Sequence, residues 1–299
     1  MKTLLRNLFD FEREDTPGER LFFRIFEGVV LYFILTFAWD WGFYILKIGD
    51  VVLPLGIANH LDVSFMFGHK LSLLNAAAIT GMMAAGFFRL WRFGYPAALL
   101  LLHLQYAARY SLGEISHGSN VMGMALLGLA LGMIFFNERK DARRFTFGFL
   151  YFFLGLGYVL AAASKLIGTG PGWVDGRHLW MWIAERTVDT FSLTGVIEHN
   201  ALQLLVLDFF SVATMILAFG LLTEFFAFLM WFRRTRPWIM TLLIMMHLGV
   251  LLTMKINFPA NTVLLILLAY PWGLWLDKGL ALLDASFRTR LTRPTLRHT

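Results

Sequence analysis

The chain has 299 residues, 58% of them hydrophobic and 15% charged, with a net charge of +6 and no cysteine. A soluble domain carries about a quarter charged residues, so a sizeable soluble domain is excluded. The lack of cysteine excludes disulfides, a thiol nucleophile and dithiol redox chemistry. Several runs of about 20 apolar residues, each enough to cross a bilayer as a helix, point to an all-α polytopic transmembrane bundle, one domain over 1–299.

Residues 1–20 are mixed in charge and form a short N-terminal segment, with no cleavable leader expected. Eight spans are expected, at about 22–46, 71–88, 94–112, 119–136, 145–165, 200–228, 237–256 and 260–276. Lys and Arg number 26, and 19 of them fall in alternate connections: five up to Arg24, Arg89 and Arg92, four in "NERKDARR", three in "RRTR" and five from Lys278 onward. The remaining seven are Lys47, Lys70, Arg109, Lys165, Arg177, Arg186 and Lys255. The positive-inside rule then places both termini in the cytoplasm, with the protein multi-pass in a bacterial inner (cytoplasmic) membrane. The basic tail, 278–299, reads as an orientation signal and a contact for anionic membrane lipids, not for nucleic acid.

Ionisable groups inside a membrane cost about 2.5–3.5 kcal/mol each at a helix centre and so demand a reason. Span 1 carries Glu27 and Asp40, span 6 Asp208 and Glu224, and span 7 His247. In span 3, a helical period puts His103, Tyr106, Tyr110, Glu114 and, if the helix persists, His117 on one stripe, with Gln105 and Arg109 on a neighbouring face. Such a stripe lines a cavity or meets polar groups of other helices. For His103 alone, a buried histidine hydrogen-bonded between helices is the simpler reading. Glu27 and Glu224 are expected near the cytoplasmic ends of their spans, solvated or paired with an arginine. Asp208 is expected in the outer half, within reach of Arg109 or Lys165. Eight histidines are scattered without a His-Glu-x-x-His spacing, so no metal is expected.

Span 5 ends in "AAASKLIGTGPGWVDG", where Lys165 precedes a glycine-rich loop. Trp173, Trp180 and Trp182 suit the headgroup zone. Residues about 175–189 read as a short helix lying on the outer membrane surface. Three roles compete for Lys165: snorkelling to the headgroups, neutralising a buried carboxylate such as Asp208, or acting as a general base.

The stretch "YVLAAASKL", the loop and "WVDG" resemble the core signature of the vitamin K-dependent gamma-carboxylase and the wider horizontally transferred transmembrane domain family. Tyr158, Ala161, Lys165, Leu166, Trp173 and Gly176 occupy its positions. "ISHGSNVMGMALLGLAL", with His117 and Asn120, and "LLVLDFF" and "MMHLGVLLTMKINF", with Asp208 and His247, resemble further segments of the same family. The loop between Lys165 and Trp173 is longer than the carboxylase's, Ser164 stands where it has a second lysine, and its large lumenal domain has no counterpart here. The resemblance implies that Lys165 deprotonates a reduced quinone of the vitamin K or menaquinone type, with His117 beside that chemistry. Oxygenation of the quinol would then yield a strong base that removes a proton from a glutamate side chain. A lysine serves as a base at neutral pH only where desolvation favours its neutral form.

Two functions of different class follow. One is a membrane enzyme, a carboxylase-like lyase, with Lys165, His117 and His247 as its catalytic set. Its pocket would hold His103, Tyr106, Arg109, Tyr110, Glu114, Asn120, Tyr158, Trp173 and Asp208. The other is a non-enzymatic scaffold or maturation partner for a secreted or membrane protein, binding a lipid or peptide. A transporter would show internal repeats, and none is apparent.

Overall fold

The computed structural model describes residues 2–49, 53, 55–68, 70–113 and 117–291, and the side chains at 2, 117 and 284–291 lie outside that description. The described residues form an all-helical bundle. In chain order the helices are α1 (Lys2–Phe9), α2 (Pro17–Leu46), α3 (Leu71–Phe87), α4 (Gly94–Tyr110), α5 (His117–Phe135) and α6 (Arg139–Thr169). They continue with α7 (Gly176–Thr194), α8 (Ala201–Asp208), α9 (Phe210–Phe225), α10 (Arg236–Met254), α11 (Pro259–Ala269) and α12 (Trp272–Leu291).

Local chemistry sets several boundaries. The Thr16 side chain accepts the Glu19 amide and Pro17 opens α2, which supplies an acceptor for one orphan donor and a preset φ. Asn200 and Gln203 form a reciprocal capping box at the start of α8. Gly195, in the left-handed region, closes α7.

Five described helices are long and apolar enough to cross a membrane, or six if the bent pair α11–α12 counts as one span. This fits a multi-pass membrane bundle. The difference from eight expected spans has a physical origin. α3 and α4 are 17 residues each, only about 26 Å long at 1.5 Å per residue. The run expected at 200–228 still supplies one of the five, Phe210–Trp231, but it is broken ahead of that span: α8 stops at Phe209, whose backbone is extended, and α9 tightens into a 3-10 turn over Phe226–Trp231. The last run bends by 63° between α11 and α12, where Pro271 follows Tyr270, because the residue before a proline is held out of helical geometry.

The main core lies among α2, α3, α4, α5, α6, α10 and α11, centred on side chains such as Phe26, Ile34, Met83, Met122, Leu150 and Leu264. α2 packs against α3, α4, α5 and α12. Its start meets α12 without room for a side chain: a Cβ on Gly18 would sit 2.2 Å from the Gly273 carbonyl oxygen. The Gly18 amide donates to Asp277 Oδ1 at 2.7 Å. A second, smaller core joins α7, α8 and α9 through Leu179, Ile183, Val206, Ala213 and Leu217. α6 ties the two together, because it packs on both α5 and α9.

Candidate functional site

Lys165 sits four residues before the end of α6. A helical side chain leans back toward the N-terminus of its helix, and α6 packs against α9. The Lys165 Nζ accordingly donates to Glu224 Oε2. The pair is unequally covered, with 28% of the lysine side chain exposed against 9% of the glutamate. Trp173, in the 3-10 turn Gly170–Val174, lies over the ammonium with its ring centroid 4.8 Å from Nζ, a cation–π contact. The His178 ring holds the Trp173 carbonyl at 3.1 Å.

One face of α6 continues the site. Tyr158, two turns before Lys165, places its hydroxyl 2.7 Å from His247 Nε2 on α10. Asn261 of α11 stands beside the same hydroxyl. The His247 ring also meets Phe258, with centroids 5.3 Å apart. His247 and Asn261 are both buried, 8% and 9% exposed. His247 Nδ1 and Asn261 Oδ1 have no hydrogen-bond partner among the described residues. An unpaired buried polar atom costs about 1–3 kcal/mol, so two such atoms flanking one hydroxyl mark a place suited to a polar guest. Tyr158 and Lys165 are seven residues apart on α6, so the two pairs lie along one face of that helix.

Of the three expected roles, the contact present is the one to a carboxylate: the Lys165 ammonium is bonded to an acid. That carboxylate is Glu224 and not Asp208, which is exposed at the last residue of α8. Glu224 was expected at the cytoplasmic end of a single long span. Glu224 is the next-to-last residue of α9, and the six-residue 3-10 segment Phe226–Trp231 separates it from the arginines at 233–236. Glu27 is fully buried and paired: Arg89 donates to both its oxygens at 2.6 and 2.7 Å, Arg24 at 3.2 Å and the Tyr95 hydroxyl at 2.9 Å.

The structure brings Lys165, Trp173, Tyr158 and His247 together, and adds Glu224 and Asn261, which the sequence reading left out of the site. It places His103, Tyr106, Arg109 and Tyr110 on α4, whose main neighbours are α2, α3 and α5. There His103, Tyr106 and Tyr110 stack in series at 6.1 and 5.8 Å, with both ends of the row exposed. The buried polar face of α4 is instead the neighbouring one. Gln105 accepts from Asn75 and donates to the Ala38 carbonyl, and the Arg109 guanidinium lies 4.5 Å from the Tyr44 ring. Asn120 is exposed on α5. Glu114 and the side chain of His117 lie outside the described residues. Gly118, the next residue, is described: a Cβ there would stand 3.1 Å from Ala260 Cβ and 3.6 Å from Asn261 Oδ1. The start of α5 therefore borders the site.

α7 covers this end of the bundle. It begins at Asp175, which accepts the Arg177 amide and its guanidinium. These bonds hold the Asp175 carboxyl down at about 2. The Gly176 amide donates to Thr214 Oγ1 at 3.0 Å, which pins the helix start to α9. Among the described residues no three His, Asp or Glu side chains gather as a metal site requires.

Comparison of the chain with family models, curated proteins and solved structures yields no match. The functional reading therefore rests on the geometry and on the resemblance carried by the Lys165 stretch.

Proposed function

We propose that the protein is an integral membrane enzyme in which Lys165 acts as a base on a lipid-like quinol at the outer membrane face. The observation that supports this reading is the Lys165–Glu224 pair under Trp173, on the same face of α6 as Tyr158, whose hydroxyl is flanked by His247 and Asn261 with their unpartnered Nδ1 and Oδ1. An ammonium bonded to a carboxylate is not itself a base. Entry of an apolar substrate that expels water penalises both charges, and transfer of one proton from Nζ to Glu224 leaves a neutral amine beside a neutral acid. The amine then takes a hydroxyl proton from the quinol, while His247 and Asn261 offer a donor or acceptor to its oxygens. Exclusion of water protects the stronger base that forms on oxygenation. In this reading the bundle has eight spans, both termini are cytoplasmic, the membrane is a bacterial inner membrane, and α7 lies along its outer surface.

The test is reduced menaquinone supplied to the protein in lipid nanodiscs, with quinol consumption followed optically. Arginine keeps the charge and the pairing but does not release a proton. Lys165→Arg should therefore abolish consumption as fully as Lys165→Ala while melting near wild type; full activity in the Arg variant rejects the base role. Reporter fusions at 140, 235 and 290 should read cytoplasmic, and those at 60, 175 and 258 outside. One reversed pair overturns the eight-span topology.

A scaffold reading is favoured by a different observation: Val188, Leu193 and Ile197, at and beyond the far end of α7, are exposed and apolar. Cross-linking of a membrane or secreted protein to Leu193, with no quinol consumption, is the result that supports it.

A further inference from the structure

We propose that the opposite, arginine-rich end of the bundle carries a binding site for a phosphate group, supplied by an anionic membrane lipid. A cavity of about 380 Å³ opens there among α1, the starts of α2, α6 and α10, and the bend between α11 and α12. That volume lies in the lower part of the range of small-molecule sites.

Its charge is unbalanced. Arg13, Arg143, Arg144, Arg233 and Arg236 line it, against Asp10 and Glu19. Asp10 pairs with Arg233 at 2.5 Å, and Asp15 with Arg143 at 2.5 Å. Glu19 is shared by Arg13 at 3.0 Å and Arg144 at 2.7 Å. Five guanidiniums thus meet three carboxylates. Arg236 has no ion pair among the described residues. Its guanidinium lies 3.5 Å from the Tyr151 ring centroid and donates to the Met230 and Asn7 carbonyls at 2.9 and 3.1 Å. Those contacts fix its plane and leave its charge uncompensated. A rigid fork of donors with spare positive charge is the arrangement that recognises phosphate.

The rest of the wall selects the source. Phe22, Phe147, Leu268 and Trp272 make much of it apolar, and it lies between helices that fit membrane spans. A soluble phosphate would leave that surface in water, whereas the glycerol and first acyl carbons of a lipid would cover it. Basic pockets between spans at the cytoplasmic side are a known mode of anionic-headgroup binding, and this end carries the arginine excess that marks that side.

The experiment uses the full chain in mild detergent, offered equal amounts of phosphatidylglycerol and phosphatidylcholine and read by native mass spectrometry. The wild type should retain phosphatidylglycerol preferentially. Arg236→Gln should reduce that preference by roughly five- to tenfold, the scale of one lost cationic contact, and Arg13→Gln, at the exposed mouth, by less. If Arg236→Gln does not fold, the wild-type preference and the Arg13→Gln decrease carry the test. In a second arm, inorganic phosphate replaces chloride at equal ionic strength. Thermal stabilisation by phosphate without lipid preference supports the phosphate site and assigns it a soluble phosphate ester. Equal retention of the two lipids together with no phosphate effect overturns the proposal, as does a preference unchanged in both variants.

Discussion

Two buried carboxylates, Glu27 and Glu224, show how differently one bundle can treat the same group. Glu27 is wholly enclosed and receives two arginines and a tyrosine hydroxyl. Every lone pair is engaged, and the cluster locks α2 to the α3–α4 turn and to α4. Among the described residues Glu224 has a single cation, a lysine with over a quarter of its side chain open. Satisfied in full, a buried charge is structural; held by one part-exposed lysine, it is the one the proposed function asks to exchange a proton. The contrast separates a fastening from a site.

The largest effect should come from Glu27→Ala, which leaves Arg89 and Arg24 facing a void. Removing one partner of a buried ion cluster costs about 3–5 kcal/mol, so the variant should express poorly or lose most of its thermal midpoint in detergent. A midpoint near wild type would erase the contrast. Glu224→Ala should cost less, about 1–3 kcal/mol, because Lys165 is already part-exposed and has Trp173 beside it. It should nonetheless remove quinol consumption. A loss of stability equal to that of Glu27→Ala would make the Lys165 pair another fastening.

Tyr158→Phe sharpens the comparison within the site. It deletes the bond to His247 at a cost of about 1 kcal/mol and leaves the ring packing intact. Consumption should fall while the midpoint barely moves; an unchanged rate would detach His247 from the chemistry. The smallest effect belongs to Asp175. Its carboxyl, bonded by Arg177, is held at about 2, below the usual 3.8, so its contribution is full above that usual value and disappears as pH falls through about 2. Wild type and Asp175→Asn should therefore differ equally at pH 7 and pH 5 and converge only near pH 2. Convergence already at pH 4 would show that the cap is not engaged.

The helical class was legible because apolar runs and their lengths follow directly from the solvent. Lys165 was legible because a lone cation at the end of such a run is conspicuous. Its partner was not. Glu224 and Asp208 look alike in sequence, two acids in one apolar stretch, and what distinguishes them is the backbone break at Phe209, which no proline or glycine announces. Asn261 was hidden for a related reason: as one amide near the start of a helix it reads as a cap, and only the packing of α11 against α10 brings it to Tyr158. On α4 the helical period places His103, Tyr106 and Tyr110 on one face, as their stacking shows, but periodicity alone does not say which face a neighbour covers. The covered one proved to be that of Gln105, buried against α2 and α3.

The contact between Gly18 and Asp277 spans 259 positions of the chain. Translation at about 5–20 residues per second would keep α2 in the bilayer for roughly 13 to 52 seconds before its mate at α12 emerges. Through that interval the seam of the bundle stands open, and the Gly18 amide has only lipid, water or an insertion factor for company. Biogenesis would then have a late checkpoint: the start of α2 gains its partner only once α12 has been made, and a ribosome stalled before α12 leaves that seam unfilled.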